Sequence, residues 1–100
     1  MTVKISEVQI VPIKPKDGLM GFASFVLDDR LYLGSIGIMT RPEGGYRLTY
    51  PTKAIGIKSL NVFYPINKNF AQEIEKIIIN RFEEVMEKVN NNDRYNRTNG

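Results

Sequence analysis

The side chains available for chemistry in this 100-residue chain are Asp, Glu, Lys, Arg, Tyr, Ser and Thr, because it contains neither histidine nor cysteine. That excludes thiolate and imidazole zinc sites, Ser-His-Asp and Cys-His nucleophile systems, and disulfide scaffolds. The candidates that remain are weak. Asp28 and Asp29 are adjacent, so their carboxylates diverge in a strand or turn, whereas a general acid/base pair must converge on one substrate atom. Gly34-Ser35-Ile36-Gly37 lacks the spacing of a dinucleotide loop, and Gly44-Gly45 precedes a strand pattern rather than a phosphate-holding helix N-terminus. Glu73, Glu75, Glu83, Glu84 and Glu87 read as the solvated face of a helix. No enzyme activity, cofactor, metal or small-molecule substrate is expected.

Charge is more informative than catalytic chemistry. The net charge is +3, with nine basic against five acidic residues over 1–69 and three against five over 70–89. No carboxylate lies between Glu43 and Glu73, whereas Arg47, Lys53, Lys58 and Lys68 all do, interleaved with Tyr46, Tyr50, Phe63 and Tyr64. Such an interval suits a nucleic acid, because cations displace phosphate counterions and rings offer stacking faces.

These residues have to be positioned by local structure. Residues 3–13 alternate as a strand whose phase slips near Ser6-Glu7, the mark of a bulge. Lys14 to Gly18 reads as a loop. Leu19 to Leu27 and Arg30 to Met39 flank Asp28-Asp29 and predict a hairpin, with Gly34 and Gly37 marking a bend or a close backbone approach. After a turn at 41–45, Tyr46 to Tyr50 is a short strand, 52–61 a loop, and Asn61 to Tyr64 a short extended piece. Ile74, Ile77, Ile78, Phe82, Val85, Met86 and Val89 then fall at helical spacing, predicting a helix over about 69–89 capped by Asn67 or Asn69, with Glu73 and Glu75 at the favourable end of the dipole. Asn90-Asn91-Asn92 is expected to end it. The expectation is therefore α+β: an antiparallel sheet of four to five strands followed by one long C-terminal amphipathic helix in a single domain over 1–89, with a disordered polar tail over 90–100 carrying Arg94 and Arg97.

One helix covers one face of a sheet. Yet the second and third strands are apolar on both phases, with Phe22 and Val26 opposite Phe25 and Leu27, and Leu31 and Leu33 opposite Tyr32. Ile79 likewise falls off the helical stripe. An uncovered apolar surface implies a partner, and the economical one is a second copy paired through the sheet about a two-fold axis.

Four segments carry a family resemblance. Ala23-Ser24-Phe25-Val26-Leu27-Asp28 resembles the A-S-x-x-L-D run of the stage V sporulation protein G (SpoVG) septation-regulator family. Ile36-Gly37-Ile38 sits where that family has I-R-V, Tyr50-Pro51-Thr52-Lys53 is similar to its M-P-S-K, and Tyr64-Pro65-Ile66-Asn67 to its H-P-I-N before the helix. The order and approximate spacing hold over about residues 3–86. The resemblance implies a domain that dimerises through its sheet, binds DNA and RNA, and regulates septation, sporulation and gene expression, with basic contacts from the segment around Lys53 and the loop after it. Ala54 and Gly37 stand where the family has arginine, which removes two cations from that surface.

The reading of the sequence is thus a homodimeric DNA- or RNA-binding regulator in which Lys53 and Lys58 contact phosphate and Arg47 and Lys68 assist. The rival reading is a protein-interaction module of cell division whose nucleic-acid binding is weakened or lost. Met1 to Glu7 places Lys4 and Glu7 where a signal peptide needs an apolar core, and no stretch approaches the ~18 apolar residues that span a bilayer. A cytoplasmic location without membrane association is expected.

Overall fold

A computed structural model describes the backbone of residues 3–99 and the side chains of residues 3–89. Strands β1 (Ile5–Lys16), β2 (Leu19–Leu27), β3 (Leu31–Thr40) and β4 (Tyr46–Thr49) form an antiparallel meander in the order β1-β2-β3-β4. Strands β5 (Thr52–Ile55) and β6 (Lys58–Asn61) pair only with each other, and helix α1 (Lys68–Asn99) closes the chain. The class is α+β, as expected, although the strands number six and divide between two sheets.

Turn and bulge chemistry explains the meander. β1 does not stop before Lys14. It runs to Lys16, opposite Leu19, through an Asp17-Gly18 turn with φ of 52° and 87°. Asp-Gly is among the strongest signals for a two-residue hairpin, so the loop expected over Lys14–Gly18 is a strand end and a turn. At the next corner Asp28 and Asp29 also have positive φ (52° and 58°), and the Arg30 N–H donates to the Leu27 carbonyl at 3.0 Å. Asp28 then anchors the start of β1: its carboxylate accepts from the Lys4 N–H and its own N–H donates to the Lys4 carbonyl, both at 2.8 Å. The expected bulge lies at Glu7 (φ 49°), between the pairs Ser6–Val26 and Gln9–Ser24. A second lies at Gly34-Ser35 (Ser35 φ 60°), between Phe25–Leu33 and Ala23–Ile36. Each bulge resets the side-chain phase, so apolar residues before and after it face the same side.

That side is covered by α1. Ala23, Phe25, Ile36 and Ile38 from the central strands meet Ile74, Ile78 and Phe82, and all seven are buried. The i, i+4, i+8 spacing of the helical three places them in one row. Tyr46 stands edge-on to Phe82, with centroids 5.0 Å apart. The Asn67 side chain accepts from the Phe70 N–H at 2.8 Å and caps the helix. Glu73 and Glu75 lie beyond the first turn, which holds no acidic residue, so they do not serve the dipole as expected. Glu75 instead accepts from Arg41 at 3.1 Å, tying the helix to the β3–β4 turn. The helix also runs through Asn90-Asn91-Asn92 to Asn99. Asparagine is only a modest helix former, but neither Pro nor Gly interrupts the chain before Gly100, so nothing forces a stop. The side chains of 90–100, including Arg94 and Arg97, lie outside the described residues.

Phe82 is fully buried and meets Tyr46 of β4 edge-on. Phe82→Ala is expected to lower the unfolding free energy by about 3–5 kcal/mol, seen as a lower midpoint in urea denaturation.

Candidate nucleic-acid interface

Residues 52–61, expected to be a loop, form a two-stranded arm. Gly56-Ile57 makes its tip, with Gly56 at φ 61° in the first central position of a tight turn. At the root the Val62 N–H donates to the Pro51 carbonyl at 2.9 Å. Every residue from Thr52 to Asn61 is exposed. The signal for this hairpin was a glycine between two short segments, obscured because neither segment alternates cleanly in hydrophobicity.

The register sorts the arm's side chains. Lys53 pairs with Leu60, and Ile55 with Lys58. Opposite residues share a face and so do residues two apart, so Lys53, Ile55, Lys58 and Leu60 occupy one face, and Thr52, Ala54, Ser59 and Asn61 the other. Lys53 and Lys58 are diagonal neighbours, a separation of about 7–8 Å along such a ladder. The structure thus brings two of the four expected cations together. The other two sit on different elements. Arg47 is on β4 opposite Met39, on the sheet face turned away from α1, and Lys68 is the first residue of the helix. A cation there opposes the helix dipole, so helix stability does not account for Lys68. Among the described residues Lys4, Arg41 and Arg81 make ion pairs, while Lys53, Lys58, Arg47 and Lys68 make none.

The aromatic side chains are arranged differently from the expectation. Tyr46 packs into the core on Phe82, and Tyr50 packs edge-on against Phe63 with centroids 6.0 Å apart. Of the four rings interleaved with the cations only Tyr64 is exposed, so together they form no stacking surface. The Tyr50 hydroxyl is buried without a hydrogen-bond partner among the described residues. Burial, and then the negative charge of Glu75, pushes its pKa up to about 12.

The outer face of the sheet exposes other apolar side chains: Val11 (61%), Phe22 (39%) and Tyr32 (67%). A groove of about 750 Å³ runs along it from Leu19, Phe22 and Gly37 to Thr52 at the root of the arm, with Lys14 and Lys16 on its rim. Sequence reasoning missed these two lysines. The Asp17-Gly18 turn, had it been read as a hairpin, would have carried the strand through them. Gly37 is a close approach, because a Cβ there would run into the Thr49 side chain. The arginine that the SpoVG pattern has at this place therefore does not fit unless Thr49 moves.

Among the described residues no three Asp or Glu side chains gather to hold a metal, and Asp28 and Asp29 are engaged with Lys4. Nor, among the described residues, is any helix long and apolar enough to cross a membrane. Fold and surface together define a small α+β domain whose distinguishing features are a projecting cationic arm and an uncovered sheet face. The SpoVG family model matches residues 3–84, and the chain belongs to the SpoVG family, a regulatory and non-catalytic one linked to sporulation. Three of the segments that carried the resemblance fall at structural junctions: Leu27-Asp28 at the β2–β3 turn, Tyr50-Pro51-Thr52-Lys53 at the root of the arm, and Tyr64-Pro65-Ile66-Asn67 at the helix cap. No curated protein matches the chain.

Tyr50 makes alkaline stability testable. Below pH 10 the phenol is neutral in both folded and unfolded chains and has no effect on the pH dependence. Between pH 10 and 12 the unfolded chain ionises there while the folded one keeps its proton, so stability falls as pH rises through that window. Tyr50→Phe should flatten this decline in urea midpoints measured from pH 9 to 12. At pH 7 it should be neutral or slightly stabilising, since it removes an unpaired hydroxyl.

Proposed function

We propose that this SpoVG-family regulator is a homodimer that binds DNA or RNA through the β5–β6 arm and acts in the cytoplasm on septation and sporulation gene expression. The observation carrying this reading is the pairing of Lys53 and Lys58 on one face of a wholly exposed arm, in a stretch of chain without a carboxylate from Glu43 to Glu73. Arg47 and Lys68 are secondary phosphate contacts. Lysines supply point charges rather than the bidentate fork that reads guanine, so binding is salt-sensitive and of low sequence specificity. The apolar outer face supports pairing with a second copy. Val11, Phe22 and Tyr32 are apolar side chains exposed on that face, and self-association removes them from water while doubling the number of arm lysines.

A second reading has its own support. Glu73, Glu83, Glu84 and Glu87 are exposed along α1, and Gly37 and Ala54 replace family arginines, which suits a module that binds proteins in cell division rather than nucleic acid. The two readings differ in a simple observable. A nucleic-acid binder purifies with a raised 260/280 nm absorbance ratio that high salt removes.

Lys53→Glu combined with Lys58→Glu should abolish retention of DNA and RNA in a low-salt mobility-shift assay; undiminished retention removes the arm as the site. Tyr32→Glu should halve the mass measured by light scattering at micromolar concentration, and a wild-type chain already monomeric there would refute the dimer.

A further inference from the structure

The tip of the arm presents a side chain that the fold does not use. Ile57 is fully exposed (103%), at a turn position where small polar residues are the rule. It contributes nothing to this chain's core, and it is followed immediately by Lys58, with Lys53 on the same face one step behind. The opposite face carries only Thr52, Ala54, Ser59 and Asn61, so the ribbon is thin.

We infer that the arm enters the minor groove of duplex DNA and drives Ile57 between two base pairs as an apolar wedge, kinking the duplex, with Lys53 and Lys58 held on the flanking phosphates. This rests on the nucleic-acid reading above and specifies its mode. Aliphatic side chains that enter the minor groove unstack a base step and bend the duplex, and the bent duplex then meets more protein surface. Single strands are held differently, by aromatic platforms, and no aromatic residue occurs between Thr52 and Asn61. A lipid bilayer fits less well, because Lys53 and Lys58 share the face of Ile55 and Leu60, and burying that face in hydrocarbon would bury both charges. The run without carboxylates lets the ribbon approach a polyanion without repulsion.

The test uses the full chain and a duplex of about 30 base pairs carrying a fluorescence donor and acceptor at its ends. The wild-type chain should raise energy transfer by the amount that a bend of about 20–90° requires. Ile57→Ser should still bind, with the salt dependence of affinity unchanged, but without that rise. Lys53→Gln with Lys58→Gln should instead lower the salt slope by about 2, one for each lost phosphate contact. Because Ile57 packs on nothing, its variant should keep the wild-type urea midpoint, which separates a lost wedge from a lost fold. If Ile57→Ser bends the duplex as the wild type does, or if the wild type binds only single strands or RNA, the wedge is wrong while the nucleic-acid reading stands. Binding to no nucleic acid at all overturns both. Loss of anionic-vesicle binding or of self-association in Ile57→Ser, with duplex bending unchanged, would assign the tip to a bilayer or a second copy and also overturn the wedge.

Discussion

The row of Ile74, Ile78 and Phe82 against Phe25, Ile36 and Ile38 is the contact on which the rest of this small protein depends. Each such side chain taken out of water contributes roughly 1.5–3 kcal/mol, and a domain of this size has few of them. Two of the sheet's bulges serve this contact. At Glu7 and at Gly34-Ser35 the strands take in one extra residue, and the phase resets so that Ile5, Val8 and Ile10, or Leu33, Ile36 and Ile38, all reach the same side. The cost is a left-handed backbone at Glu7 and Ser35, of order 1–3 kcal/mol each. It is offset because a strand kept in simple alternation would turn half of those side chains to solvent.

A single helix spends its apolar stripe on one face, and two regions are left without cover. One is the outer face of the sheet, where Val11, Phe22 and Tyr32 meet solvent. The other is the arm, a two-stranded hairpin that shares no ladder hydrogen bonds with the main sheet, although isolated hairpins are marginal in water. Both regions combine energetic weakness with chemical distinctiveness. Unpaired lysines and exposed apolar side chains are the groups that a polyanion or a second copy can use, and the groove along the sheet from Phe22 and Gly37 reaches Thr52 at the root of the arm.

Aromatic residues show how the same composition can serve opposite ends. Tyr46, Tyr50 and Phe63 lie among the cations in the sequence, as rings do in proteins that stack bases, yet the fold turns them inward to brace the helix and the root of the arm. The raised Tyr50 pKa records that inward turn, since it follows first from burial and then from the Glu75 carboxylate beside it. The exposed rings Phe22 and Tyr32 come instead from strands whose two-sided hydrophobicity already pointed to a second contact surface.

Much of this was written in local pattern. The helical stripe from Ile74 onward, the Asn67 cap, the slip at Ser6-Glu7, the Asp28-Asp29 turn and the family segments all rest on interactions between residues near in sequence, and periodicity and turn chemistry reveal such interactions directly. The β5–β6 arm was less legible, because short strands are held by hydrogen bonds to a partner rather than by their own composition, and the inward turn of Tyr50 depends on packing between elements distant in sequence. Pairing register decided that Lys53 and Lys58 share a face with Ile55 and Leu60, while Arg47 and Lys68 went to other elements. One residue of slip would have put the two lysines on opposite sides, since side chains in a strand alternate with a period of two. The sequence by itself determined which cations exist and that no acid lies among them; the tertiary structure decided which of them share a face.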